Sequence, residues 1–164
     1  MNSLAIALLL VSTVARADVA VCFTPGQHCV VVVAREIAAA NHTIRVQAYS
    51  FTSPVIEQAL VDAHARGVDV QVILDRSNLH GRYSGLQVME RGGVPTSIDS
   101  RHAISHNKII IVDGTTVLSG SYNFTVAAEK HNAENLLVIR DAALAAQYGA
   151  NWDVHRAHAV EAKP

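Results

Sequence analysis

From residue 19 onward, short apolar runs alternate with longer segments whose apolar residues recur every three or four positions. The short runs predict β-strands over residues 19–23, 43–50, 68–74, 94–98, 106–112, 115–119 and 136–139. Helices are predicted from Pro54 to Gly67, over residues 86–91, as a short turn over 125–130, and from an Asp141 cap to about His158. This order predicts the α/β class, with one domain built on a mixed β-sheet that carries helices on both faces.

Residues 29–40 form an ambiguous segment in this pattern. The four consecutive valines at positions 30–33 favour a strand, whereas residues 35–40 favour a helix. We predict a helix, because the strand over residues 43–50 follows almost at once.

The first 17 residues have a different character. A continuous apolar run over residues 4–14 precedes Ala15-Arg16-Ala17, a pattern typical of signal-peptide cleavage. We therefore predict a signal peptide over residues 1–17, a mature domain over 18–164, and a periplasmic or secreted protein without stable membrane association. An uncleaved N-terminal anchor is the alternative, since no Lys or Arg precedes the run.

Composition indicates a globular chain, because half of the 164 residues are apolar and 16% are charged. Cleavage would remove Arg16 and leave 12 basic against 14 acidic residues, a net charge of −2. This is not the basic footprint of a tight nucleic-acid binder. Binding to a polyanion is therefore expected to be local, weak and sensitive to salt.

Two cysteines, Cys22 and Cys29, lie near the start of the predicted mature chain. In an exported protein they can close a small loop through a disulfide, and the alternative is two separately buried thiols. Two cysteines are too few to indicate a zinc site on their own.

The densest group of reactive side chains lies between residues 106 and 123. It reads His-x-Lys, four residues, Asp, six residues, Gly-Ser, one residue, Asn, and comprises His106, Lys108, Asp113, Gly120, Ser121 and Asn123. The pattern occurs once. Of the nine histidines, only His106 has Lys two positions later, Asp seven positions later and a Gly-Ser pair beyond.

The spacing of this segment predicts how its side chains meet. Asp113-Gly114 lies between two apolar runs and predicts a two-residue hairpin turn, in which His106 faces Ser121 and Lys108 faces Ser119. Side chains alternate along a strand, so residues two apart share a face. The hairpin is then expected to gather the active groups at one end of the sheet: His106, Lys108, Ser121 and Asn123.

These groups suit a phosphodiester, whose non-bridging oxygens need positive charge and hydrogen-bond donors. Lys108 and Asn123 can supply them, and Ser121 adds a further donor. Gly120 lacks a Cβ and can let the backbone approach a ligand. A neutral His106 imidazole can attack phosphorus and form a covalent phosphohistidine.

The second ring nitrogen of His106 should be held by a carboxylate that fixes the tautomer. Glu134 and Asp113 are both candidates for that position.

Taken together, these residues resemble the signature of the phospholipase D superfamily. The resemblance covers roughly residues 44–139 and includes residues 48–53, residues 66–70 and Glu134-Asn135. Within the superfamily, the chain is most similar to the small, exported bacterial endonucleases that carry a single motif.

The resemblance implies an active site built from two signatures and therefore a symmetric homodimer, because this chain has one. It implies that one His106 attacks phosphorus while the other protonates the leaving oxygen and then activates water. By the same resemblance, Lys108, Ser121 and Asn123 bind phosphate and Glu134 orients His106. Asp113 completes the signature, although a structural role is favoured for it.

The expected substrate is DNA, with RNA left open, and neither a metal nor a cofactor is implied. A phospholipase D acting on phosphatidyl lipids is the alternative, although the loop over residues 75–85 lacks the apolar character that a lipid enzyme needs. A catalytically silent binding module is disfavoured, since the motif is intact.

Two basic or histidine-rich features are left over. Arg76, Arg82 and Arg101 could form a basic rim, with solvated surface arginines as the alternative. His155-Arg156-Ala157-His158 receives no function, and a solvated helix end is favoured over a metal site.

Overall fold

A computed structural model describes residues 17–81 and 83–162 of the chain. Most of the predicted signal peptide, residues 1–16, and Arg82 of the predicted basic rim lie outside the described residues. The strands are β1 Asp18–Thr24, β2 Thr43–Ala48, β3 Phe51–Thr52, β4 Asp69–Asp75, β5 Thr96–Asp99, β6 Lys108–Val112, β7 Thr116–Gly120, β8 Phe124–Thr125, β9 Glu134–Arg140 and β10 Val160–Glu161. The α-helices are α1 Cys29–Ala38, α2 Pro54–Ala65, α3 Leu86–Arg91, α4 Val126–Lys130 and α5 Ala142–Arg156, and a 3-10 helix spans Arg76–Leu79.

Eight strands form one sheet in the order β1-β9-β7-β6-β2-β4-β5-β10. Strand β4 is parallel to β2 and β5, and the other neighbours in this sheet are antiparallel. The predicted α/β class with a mixed sheet is therefore confirmed. Within the described part of the chain, no helix is both long enough and apolar enough to cross a membrane.

Helices cover both faces of this sheet, as predicted. One face packs against α1, α2 and α3, and the other packs against α5. Adjacent residues of one strand serve the two faces: Val72 belongs to the larger core and Ile73 to the core under α5. On that second face, buried Trp152 donates its indole N–H to the carbonyl of Val46 at 2.9 Å.

The ambiguous segment over residues 29–40 is a helix, as predicted. Its first residue, Cys29, forms a disulfide with Cys22 of β1, with the two Cα atoms 5.7 Å apart. The bond ties an edge strand to the helix that packs beside it, so the alternative of two separate thiols does not hold.

Several element boundaries differ from the prediction. Helix α5 ends at Arg156, and the following residues form β10, which pairs with β5 and was not predicted. Strand β6 begins at Lys108, so His106 lies just before the strand. Residues 160–161 are too few to show a periodic pattern. Their strand forms only through pairing with β5, a distant part of the chain.

The turn between β6 and β7 corrects the predicted register by one residue. Asp113 and Gly114 both have positive φ angles, 50° and 62°, as a type I′ turn requires, and the N–H of Thr115 bonds to the carbonyl of Val112. Val112 nevertheless pairs with Thr116, because the carbonyl of Thr115 accepts the N–H of Asp141 instead of continuing the hairpin. The predicted pairs of His106 with Ser121 and of Lys108 with Ser119 are therefore wrong.

Asp113 lies away from the candidate site and joins the turn to the segment that leads into β2. Its carboxylate accepts the backbone N–H groups of Asn41, His42 and Thr43 at 2.8–2.9 Å. It follows β6 whereas His106 precedes it, so Asp113 does not hold the His106 ring and does not join the other signature residues. Burial acts to raise the pKa of Asp113, but these backbone donors outweigh it and the pKa is lowered.

We expect Asp113→Asn to lower the free energy of unfolding by about 1–3 kcal/mol at pH 7, because the backbone donors lose a charged acceptor. Since the folded pKa lies below the ordinary value of 3.8, the stabilisation is complete above that pH and is lost as the pH falls through the folded pKa. Urea unfolding of both proteins at several pH values measures the difference in their free energy of unfolding. The exposed helical substitution Asp153→Asn is the control, and a variant as stable as wild type at pH 7 would contradict this role.

Candidate functional site

The site is a polar-lined cavity of about 480 Å³ where β6 begins and β7 ends. Its lining consists of His106, Asn107, Lys108, Ile109, Ser119, Gly120, Ser121, Asn123, Glu134 and Tyr148. Five of the six predicted site residues therefore come together, and only Asp113 does not. The predicted gathering of these side chains at one end of the sheet holds in spite of the register error. The cavity is lined by more than one residue of each strand, so a shift of one residue does not remove them from it.

Lys108 is the buried cation of the cavity. Lys108 is the first residue of β6 and is 8% exposed, and its ammonium group donates to the carbonyl of His106 at 2.7 Å. The ammonium nitrogen also lies 5.2 Å from the centre of the Tyr49 ring, within range of a cation–π contact. Burial lowers the pKa of Lys108, and the negative charge of Glu134 opposes this effect only in part.

His106 is exposed at the mouth of the cavity and rests on Tyr49. The two ring centres are 4.6 Å apart at an interplanar angle of 53°. The backbone beside it is fixed, because the N–H of Tyr49 bonds to the carbonyl of Asn107 at 3.0 Å. The Asn107 amide in turn donates to the fully buried Gln47. The sequence pattern did not indicate Tyr49 or Gln47 as part of the site; the available signal was the position of Gln47 near the end of β2 and of Tyr49 just after it.

The Gly120-Ser121 step is shaped by β9. The N–H groups of Ser121 and Tyr122 both bond to the carbonyl of Asn135, and the Ser121 hydroxyl accepts the N–H of Asn135 at 3.0 Å. Gly120 has a φ of +150°, and a Cβ there would lie 2.3 Å from the Asn135 carbonyl oxygen. Gly120 thus allows a close contact with β9, whereas the sequence suggested the close approach of a ligand.

Asn123 and Glu134 complete the lining of the cavity. The Oδ1 atom of Asn123 is buried without a hydrogen-bond partner in the described part of the chain. Such orphaned polar atoms cost about 1–3 kcal/mol and are typical of functional sites. Glu134 accepts a hydrogen bond from Asn132 at 3.0 Å, so its predicted contact with the His106 ring stays a prediction.

The predicted basic rim is only partly beside this cavity. Arg76 donates to the carbonyl of Ala103 at 3.1 Å and lines an adjoining cavity whose lining includes Tyr49, the residue that the His106 ring contacts. Arg101 is exposed on the loop that follows β5. The same adjoining cavity is lined by Leu79 and Ile104, which are about half exposed.

Comparison with known proteins gives consistent results. The model of a family described as "Cardiolipin synthase, PLD-like domain" matches residues 33–154. The chain is 45% identical over 142 residues to a protein of Rickettsia bellii named phospholipase D, covering 87% of this chain and 71% of that protein.

Two solved structures share the fold. One is Nuc from Salmonella typhimurium, a phospholipase D family member, with a TM-score of 0.84, 38% identity, and coverage of 91% of this chain and 100% of Nuc. The other is NucT from Helicobacter pylori, with a TM-score of 0.83, 20% identity, and coverage of 90% of this chain and 100% of NucT. At that identity, the likeness to NucT concerns the fold alone.

We expect Gly120→Ala to destabilise the protein by at least about 2 kcal/mol, because an added Cβ would strain the backbone and collide with β9. The matched control is Gly149→Ala in α5, where a Cβ meets nothing within 4 Å. That substitution should stabilise the helix by about 0.5–1 kcal/mol. Denaturant unfolding compares the two variants, and equal effects would show that Gly120 is not required by the contact with Asn135.

Proposed function

The chain belongs to the phospholipase D superfamily and is a phosphodiesterase; we propose that it is a nuclease that cleaves DNA without a metal ion. The observation that carries the proposal is the meeting of His106, Lys108, Ser121 and Asn123 in one polar cavity. The likeness to Nuc supports it, because the chain matches the whole length of this phospholipase D family member at 38% identity, so that both chains have a similar size.

In the proposed reaction, a neutral His106 nitrogen attacks the phosphorus and the bond to the leaving oxygen breaks. The leaving oxygen takes a proton from the partner subunit's His106. Water then gives a proton back to that imidazole and attacks the phosphohistidine, releasing the phosphate end of the product and restoring both rings. Lys108 and Asn123 stabilise the charge on the non-bridging oxygens throughout, and Ser121 assists.

The proposed active site is shared by two copies of the chain. Among the described residues, His106 is the one histidine that lines the cavity, yet the reaction needs a nucleophile and a separate acid. His106 is also exposed, so a second copy can approach it. A two-fold axis beside the cavity would bring the two His106 rings together, because an isologous interface places each residue near its own copy.

We further propose that the protein acts outside the cytoplasm. The Cys22–Cys29 disulfide supports this, because structural disulfides form in oxidising compartments. The apolar run and small-residue pattern of residues 4–17 support it independently.

A phospholipase D acting on phosphatidyl lipids is the second candidate. It is favoured by the half-exposed Leu79 and Ile104, which line the adjoining cavity together with Tyr49. The relative from Rickettsia bellii also carries the name phospholipase D. Nucleic acid remains the first choice because the catalytic cavity itself is polar and open.

We expect the mature protein to degrade plasmid DNA in excess EDTA, since Lys108 and Asn123 supply the charge stabilisation that metal ions supply in other nucleases. DNA, RNA and phosphatidylcholine vesicles run in parallel identify the substrate class.

His106→Ala should lower turnover by at least about 10³-fold while the circular dichroism spectrum is unchanged. His131→Ala, an exposed histidine outside the cavity, is the control. Strict dependence on a divalent metal, or lipid turnover without DNA cleavage, would refute the proposal.

A mixing experiment tests the shared site. After subunit exchange between equal amounts of wild type and His106→Ala, only wild-type homodimers should be active, leaving about one quarter of the activity of the same total amount of wild type. Independent sites would leave about one half. Exchange with His131→Ala should cause no loss, and ultracentrifugation should show a dimer. One half of the activity, or a fully active monomer, would be incompatible with the shared site.

A further inference from the structure

A second cluster of ionisable side chains lies outside the catalytic cavity. Asp99, the last residue of β5, is surrounded by His102 from the following loop and by His155 and His158 from the end of α5 and just beyond it. The Asp99 carboxylate lies 2.8 Å from His155 Nδ1, 3.2 Å from His158 Nε2 and 3.2 Å from His102 Nδ1. None of these four residues lines the cavity that contains His106.

The ionisable groups of this cluster are more deeply buried than charged side chains usually are. Asp99 is fully buried, and the side chains of His155 and His158 are 14% and 15% exposed. A buried carboxylate is costly unless it is paired or coordinates a metal. The hydrogen-bonding groups that meet Asp99 are the three histidine rings and the backbone N–H of Arg101. No lysine or arginine side chain is paired with it among the described residues.

The arrangement has the dimensions of a transition-metal site. One ligand atom from each residue lies within 4.8 Å of all the others. In a tetrahedral Zn²⁺ site with bonds of about 2.0–2.1 Å, ligand atoms lie roughly 3.3 Å apart. The three contacts with Asp99 are already at that distance, so the imidazoles need to move inward by only about an ångström. Three imidazoles and a carboxylate are a donor set suited to Zn²⁺.

We propose that Asp99, His102, His155 and His158 bind one Zn²⁺-class ion as a structural site. The ion would join the end of β5 to the end of α5 and so fix the segment that returns to the sheet as β10. It would also hold His102, which lies four residues before His106. The ion takes no part in catalysis, because its ligands are separate from the phosphate-binding groups.

Binding is tested on full-length mature protein without a polyhistidine tag, stripped with chelator and dialysed. Calorimetric titration with Zn²⁺ should show one ion per chain, and the thermal midpoint should rise with the Zn²⁺ concentration. Mg²⁺ should do neither, because it prefers oxygen ligands. Bound Co²⁺ should give the intense visible spectrum of tetrahedral coordination. Wild-type protein that binds neither Zn²⁺ nor Co²⁺ would overturn the proposal.

Variants locate the ion. The double substitution His155→Gln and His158→Gln should weaken Zn²⁺ binding by more than the roughly 10–100-fold that loss of an outer hydrogen-bond partner causes. His42→Gln, an exposed histidine at the far end of β2, should bind like wild type. If the double variant does not fold, His102→Gln replaces it, because that ligand is half exposed. Equal Zn²⁺ affinity in wild type and a folded cluster variant would refute the site.

Discussion

The candidate site depends on the complete burial of strand β6. All five of its residues are buried, it pairs with β2 on one side and β7 on the other, and its side chains enter the cores on both faces of the sheet. Within such a strand no polar side chain can be accommodated without a partner. The chemistry is therefore confined to the end where the strand begins, and Lys108 marks that boundary.

The segment that leads into this strand is held by polar residues at the ends of three neighbouring strands. Gln47 on β2 bonds to Ser105 and Asn107, Asp75 on β4 accepts the N–H of Ser105 at 2.8 Å, and Asp99 on β5 accepts that of Arg101. Because β2, β4 and β5 are parallel, their carboxyl ends meet at one edge of the sheet. His106 is thus placed by buried hydrogen bonds although its own ring is exposed.

The sequence was sufficient for the α/β class, the order of most elements and the gathering of five signature residues, because these depend on local periodicity and on the turn at Asp113-Gly114. It was insufficient wherever a distant strand decided the outcome. The pairing of Thr115 with Asp141 shifted the hairpin register, and the contact between Gly120 and Asn135 changed the reason for the glycine. Tyr49 and Gln47 belong to the site only because β2 lies beside β6.

The two clusters of the protein place charge in different ways for different purposes. The catalytic cavity is lined by the buried cation Lys108 and by Asn123, whose Oδ1 atom has no hydrogen-bond partner among the described residues. Around Asp99, every group converges on one carboxylate within the same chain. An arrangement that is unsatisfied and open is suited to a ligand that comes and goes, whereas one that is closed on itself is suited to holding the fold. The loop from Asp99 to His106 connects the two, so rigidity at its start limits how far the His106 ring can move at its end.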